Sequence, residues 1–170
     1  KNNERVIGVT TAIGRFKDSG ALLWWAFAQG KLAEQGLIDS LYDKRDEAAS
    51  AGTLAHEMVE AYIRGGGLPD LSEHGEEVLE QARRGYKNYR NWEKMNNIEV
   101  IEQEVSLVSE KYGYGGTLDG VFSINGELAL GDWKTAKGVY TDNLAQLASY
   151  KQLWEENNPD RPITGGYHLC

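Results

Sequence analysis

The chain has 170 residues, 41% of them hydrophobic and 26% charged, and a formal net charge of −8. A chain of that length fits one domain that hides about 70% of its unfolded surface, and no apolar run approaches the roughly 20 residues that span a bilayer. The acidic balance argues against a broad nucleic-acid-coating surface, because phosphate contacts need Lys and Arg, but it leaves room for a local basic groove.

Elements are predicted in chain order as follows. Lys1 to Arg5 is not followed by a long apolar segment, so no signal peptide is expected. Residues from about 20 to 36, rich in Leu, Ala and Trp, predict a helix stopped at Gly36. Residues from about 43 to 64 predict a second helix, ended by Gly65-Gly66-Gly67 and Pro69. Its buried stripe is Ala55, Met58, Val59 and Tyr62. A third helix is expected from about Ser72, a good N-cap, to about Met95, with Leu79, Ala82, Tyr86 and Tyr89 inward. Arg83, Lys87, Arg90 and Lys94 share another face of it, with Trp92 as the freer ring. Cations interleaved with rings suit single-stranded DNA, although the two tyrosines match the apolar stripe better.

Strands are expected over about 99–109, 113–124 and 127–134. In the first, Ile101, Val105 and Leu107 fall on one side and Val100 and Val108 on the other. A helix from about Asp142 to Glu156 carries Leu144, Leu147, Ala148 and Trp154. A last strand is expected from about Thr164, running into the chain end at Cys170 as though cut there. Helices, three strands, a helix and a strand make an α/β chain with a mixed sheet and helices on both faces. The expected organisation is a single domain, with residues 1–51 an N-terminal helical extension and 52–170 the core.

Cys170 is the only cysteine. An internal disulfide framework, a cysteine-type zinc site and a cysteine-held iron–sulfur cluster are therefore excluded, and a reducing, cytoplasmic compartment is the simple expectation.

The most informative segment is the hairpin. Asn125-Gly126 is the strongest short signal for a two-residue type I′ turn. It pairs Ile124 with Glu127, and the same register carried on places Asp119 opposite Asp132. Lys134 then points to the same face. Opposed like charges destabilise a sheet, and a divalent cation between them reverses that penalty. Two carboxylates suit Mg²⁺ or Mn²⁺, and a neighbouring lysine can position water or stabilise developing negative charge. The plain alternative is a surface salt bridge. Against it, Leu128 and Leu130 precede the charges on that face, so an apolar row ends in unexplained charge.

Three further pairs are open. His56 and Glu60 lie one helical turn apart. His56 is either a nitrogen ligand for the same metal, tilting it towards Mn²⁺, or half of a stabilising helix pair. Gln146 and Tyr150 repeat that spacing and either meet a phosphate or the lysine, or pack on the sheet. Glu104 is a candidate for supporting or weakly ligating the metal, with Glu102 as its competitor.

Taken together, these motifs resemble the PD-(D/E)xK nuclease superfamily, specifically its RecB-like, phage-exonuclease-type branch. The pieces run in order over roughly residues 52–150: Gly52-x-x-x-His56-x-x-x-Glu60, an acidic residue at Glu104, Gly116-x-x-Asp119, Asp132-x-Lys134 and Gln146-x-x-x-Tyr150. Val9-Thr10-Thr11 followed by a tryptophan-bearing helix is also similar to phage-encoded members. The resemblance implies a restriction-endonuclease-like α-β-β-β-α-β core with extra N-terminal helices. It implies a metal-dependent DNA nuclease, often an exonuclease, serving recombination, repair or phage DNA processing. It places His56, Asp119, Asp132 and the Trp133 backbone carbonyl at Mg²⁺ or Mn²⁺, and makes Lys134 the catalytic lysine. Glu60, Glu104, Gln146 and Tyr150 would support the site or touch DNA. The expected partners are single- or double-stranded DNA ends, with no membrane, and a homo-oligomer is compatible with them. Members with a four-cysteine iron–sulfur cluster are a poor match, because this chain has one cysteine. The rival reading is a non-catalytic nucleic-acid-binding module on the same fold.

Overall fold

The computed structural model describes residues 5–16, 20–38, 41–136, 138–166 and 168–169. They form two compact units: residues 1–16 with 88–170, and residues 17–87.

The second unit is helical. It holds α2 (Gly20–Glu34), α3 (Leu41–Ile63) and the first part of α4 (Glu76–Met95). Ala51, Leu54, Ala55 and Met58 of α3 pack with Val78, Leu79 and Ala82 of α4. Helical periodicity thus does here what the sequence pattern requires. α4 starts later than expected. Ser72 is no N-cap, because its N–H is held by the Asp70 carboxylate at 2.9 Å. That local turn competes with helix and delays the start to Glu76.

The first unit is mixed α/β. β2 (Ile98–Ser109), β3 (Tyr114–Ile124) and β4 (Glu127–Asp132) form an antiparallel set, and β5 (His168–Leu169) joins β4 in parallel. β1 (Ile7–Gly8) pairs in parallel with Tyr114 and Gly115 of β3. β2 covers one edge of β3 along its length, so β1 and β4 share the other edge at opposite ends. Among the described residues, neither β1 nor β4 pairs with the stretch of β3 between Gly115 and Gly120 that holds Asp119. Residues 7–8, expected within the helical extension, are therefore sheet, and α1 (Val9–Gly14) continues them.

Helices flank the sheet. On one face Val9 and α5 (Thr141–Asn157) pack through Tyr150, Leu153 and Trp154 onto Leu118, Val121 and Leu130. On the other, Tyr89 and Trp92 of α4 meet Phe122 and Trp133. Trp92, expected to be the freer ring, instead packs edge-to-face against Trp133, ring centres 5.8 Å apart. Leu144 is 56% exposed, not part of the α5 stripe, and Ala148 is exposed as well. Tyr150 and Leu153 take the inward positions, because helical spacing from Leu147 turns Ala148 outwards. α5 is clamped onto β2 at its far end. Ser109 Oγ donates to Glu156 at 2.7 Å, and Asn157 Nδ2 donates to the Val108 carbonyl at 3.0 Å.

Two strand expectations change. β2 has an irregularity between Val100 and Glu102, so Ile101 is an extra residue, 37% exposed, and not a partner of Val105 and Leu107. The last strand begins at His168, not Thr164, because the N–H groups of Thr164 and Gly165 are spent on the Leu128 carbonyl. The end of that expected strand at Cys170 lies outside the described residues.

Candidate active site

The hairpin turn sets the site. Asn125 and Gly126 both have positive φ, 54° and 88°, as a type I′ turn needs. The register runs from Ile124 opposite Glu127 to Gly120 opposite Gly131. One rung further on, the strands part. There the Trp133 N–H donates to Asp119 Oδ2 at 2.6 Å, so a carboxylate bridges the strands where a carbonyl would otherwise do so.

Asp132 ends β4 with 1% exposure, among the most buried side chains of the molecule. Its Oδ2 accepts no hydrogen bond of good geometry. It is met instead by Lys134 Nζ at 2.5 Å, an ion pair whose lysine is 26% exposed. Asp132 and Lys134 flank Trp133, whose ring is turned the other way, as strand alternation dictates. That ring is fixed by Tyr89 at 5.0 Å, Phe122 at 5.3 Å and Trp92 at 5.8 Å. The aromatic cluster on one face thus anchors the backbone that presents two charges on the other.

Glu104 lies across β3 from Asp119. Gln103 pairs with Gly120 and Val105 with Leu118, while the rung between them, Glu104 with Asp119, is left out of the ladder. Glu104 also has a φ of 51°, a left-handed conformation that costs a non-glycine residue about 1–3 kcal/mol. Such outliers persist where the surroundings hold them, and they cluster at functional sites. Glu102, its competitor, is tied to Arg161 at 2.8 Å.

The charges of these groups bear on Tyr150. Burial is the main reason its phenol is held above the ordinary value of 10.0, and the charges of Asp132, Asp119 and Glu104 push it the same way. A hydrogen bond from Gln146 Nε2 to the phenol oxygen, 2.8 Å long, opposes them. Three carboxylates from three strands therefore act on one neutral phenol. Since Gln146 donates to that oxygen, the phenol's own proton remains to be donated elsewhere. The ring fits because of Gly116. A Cβ there would sit 2.9 Å from Tyr150 Cε1 and 3.1 Å from Val9 Cγ2. The glycine of Gly116-x-x-Asp119 thus makes room for the tyrosine of Gln146-x-x-x-Tyr150.

The remaining expected residues lie on α3, in the helical unit. His56 is partly buried, and Glu60 forms an ion pair with Arg64 one turn on. Among the described residues, no three His, Cys, Asp or Glu side chains form a group that could hold a metal ion by themselves. No described helix is long and apolar enough to cross a membrane.

Sequence reasoning missed Gly120, Gly131 and Phe122 as determinants of the site. A Cβ at Gly120 would lie 2.2 Å from Phe122 Cζ, and one at Gly131 would lie 2.5 Å from Phe122 Cε2. The Phe122 ring covers this glycine pair and then supports Trp133. Two glycines opposed in a hairpin, with an aromatic two residues away, was the available signal. No protein-family model matches the chain, and no curated protein is significantly similar to it.

Proposed function

We propose that the chain is a divalent-metal-dependent deoxyribonuclease on a restriction-endonuclease-like core, acting at DNA ends. The observation that carries this reading is the buried Asp132 carboxylate, with Lys134 seated on its Oδ2, next to the Trp133 N–H that Asp119 accepts. A salt bridge alone gives no reason for a carboxylate this buried with an oxygen that makes no hydrogen bond, or for strain at Glu104.

The donor set fits Mg²⁺ or Mn²⁺. Mg²⁺ keeps several waters and uses one or two carboxylates plus substrate phosphate, so a three-residue protein cage is not required. Asp119 and Asp132 would hold it, with the Trp133 carbonyl beside them. A bound metal supplies Lewis-acid polarisation of a phosphoryl oxygen.

The protein groups do the rest. Lys134 places a positive charge where the attacked phosphate becomes more negative. Asp119, tied to the Trp133 N–H, holds the two strands at fixed separation. Tyr150, held by Gln146, keeps its proton and offers it to a phosphate oxygen. Glu104 supports the site from β2.

The test is a cleavage assay on end-labelled linear and on circular DNA, single- and double-stranded, with Mg²⁺, Mn²⁺ or EDTA. Cleavage of linear DNA with either metal and none in EDTA is expected, with circular DNA spared. Cleavage that survives EDTA would refute metal dependence, and metal-independent binding without cleavage would make the chain a binding module.

A second expectation concerns Gly116→Ala. The new methyl must displace the Tyr150 ring or Val9, at a cost of about 1–3 kcal/mol. Folding measured by urea denaturation should weaken by that amount, and kcat should fall more than KM rises. An unchanged kcat in a destabilised variant would remove Tyr150 from the reaction.

A further inference from the structure

We propose that the Lys134 ammonium is the resident counter-ion of Asp132, standing where the divalent cation binds and displaced when it arrives. The proposal rests on the metal-dependent reading above.

Asp132 has 1% exposure, and its Oδ2 has no hydrogen bond. A carboxylate so deprived of water needs a cation close by. The chain provides one itself, Lys134 Nζ at 2.5 Å. The lysine stem retains 26% exposure, so its head has a way out to solvent. Asp132 Oδ2 meets that ammonium and makes no hydrogen bond, whereas Asp119 Oδ2 accepts the Trp133 N–H at 2.6 Å. The two oxygens therefore differ: one is met by a backbone donor, the other by a movable charge.

Two cations on one carboxylate oxygen repel, so the ion pair and the metal compete. Competition of this kind is a coupling between two ligands of one site and acts in both directions. Metal binding pushes the ammonium off Asp132, and the ammonium lowers the affinity for metal. The consequence for function is a gate. Without metal the catalytic charge is stored on Asp132. With metal it is released towards the phosphate. The site assembles its lysine only when the cation that the reaction needs is present.

The experiment measures Mn²⁺ binding to the full chain without DNA, by calorimetry, together with thermal unfolding in EDTA and in saturating Mn²⁺. The variants are Lys134→Met, which keeps the stem and removes the charge, and Lys134→Arg, which pairs with carboxylate through two parallel hydrogen bonds. Lys134→Met is expected to bind Mn²⁺ at least about tenfold more tightly than wild type, or 1.4 kcal/mol. It should unfold at lower temperature in EDTA and recover most of that loss in Mn²⁺. Lys134→Arg is expected to bind Mn²⁺ more weakly than wild type. If Lys134→Met is unfolded in EDTA, folding on addition of Mn²⁺ supports the proposal. Failure to fold at saturating Mn²⁺, with Lys134→Arg binding like wild type, overturns it. Lys134→Met with equal or weaker affinity overturns it too, while leaving the metal-dependent reading standing. Wild type that binds neither Mn²⁺ nor Mg²⁺ overturns both.

Discussion

Lys134→Ala is expected to reduce DNA cleavage by about 10²–10⁴-fold while leaving the fold in place when Mn²⁺ or Mg²⁺ is present. The Asp132-Trp133-Lys134 segment carries an anchored ring between two charges. Trp133 is 7% exposed and held by three rings, so removing the lysine head does not free the backbone. What is lost is a single positive charge at the mouth of a carboxylate cluster. On the proposed nuclease reading, an incoming phosphate would then meet carboxylates that repel it and a neutral phenol, and the metal alone would have to offset the charge that builds up during hydrolysis. The measurement is single-turnover cleavage of labelled linear DNA at saturating metal, with far-ultraviolet circular dichroism as the folding control. Single-turnover conditions separate chemistry from product release. A Lys134→Ala protein that cuts at the wild-type rate would sink the mechanism, and one that unfolds in metal would show that the lysine is chiefly structural.

Much of this site is legible in the chain because hairpin register is a local property. Asn125-Gly126 dictates the turn, and the turn dictates the pairing as far as Gly120 opposite Gly131, one position short of Asp119 and Asp132. The helices were legible for the same kind of reason, since Ala55, Met58 and Val59 repeat at helical spacing and are buried. What was not legible depends on contacts between distant residues or on conformations that residue type does not favour. Ile101 fits an alternating apolar pattern, so nothing in its identity marks it as the extra residue of a bulge. Glutamate avoids positive φ, so the left-handed turn at Glu104 has no sequence signal. β1 is two residues long, too short for any periodicity. The exposure of Leu144 and the edge-to-face packing of Trp92 are set by what lies opposite them, not by their own helices. Gly116 was visible as a motif glycine, but the reason for it, the Tyr150 ring, is carried by another element.

Gly120→Ala is expected to destabilise the protein by about 3 kcal/mol, the upper end of the usual cost of overpacking. For a chain of this size that lowers the thermal midpoint by roughly 6–12 °C. An added Cβ meets Phe122 Cζ at 2.2 Å and Cε2 at 2.4 Å, far inside contact distance. A flexible side chain could swing away, but Phe122 has 0% exposure and is hemmed in by Trp92 at 6.4 Å and Trp133 at 5.3 Å. The space over Gly131 is no refuge, because the ring already fills it, 2.5 Å from where a Cβ would be. The ring must therefore push against Trp133, whose N–H holds Asp119 and whose neighbours are Asp132 and Lys134. A methyl on the face away from the carboxylates should thus disturb stability and cleavage together. The check is a double-mutant cycle with Phe122→Leu, read by urea denaturation and by cleavage at saturating Mn²⁺. If the ring is the obstacle, the double variant loses clearly less than the two single losses combined, by at least about 1 kcal/mol. Strictly additive losses would show that the damage comes from the strand itself. In that case the coupling between the aromatic face and the site would have to run through something other than Phe122 and Trp133.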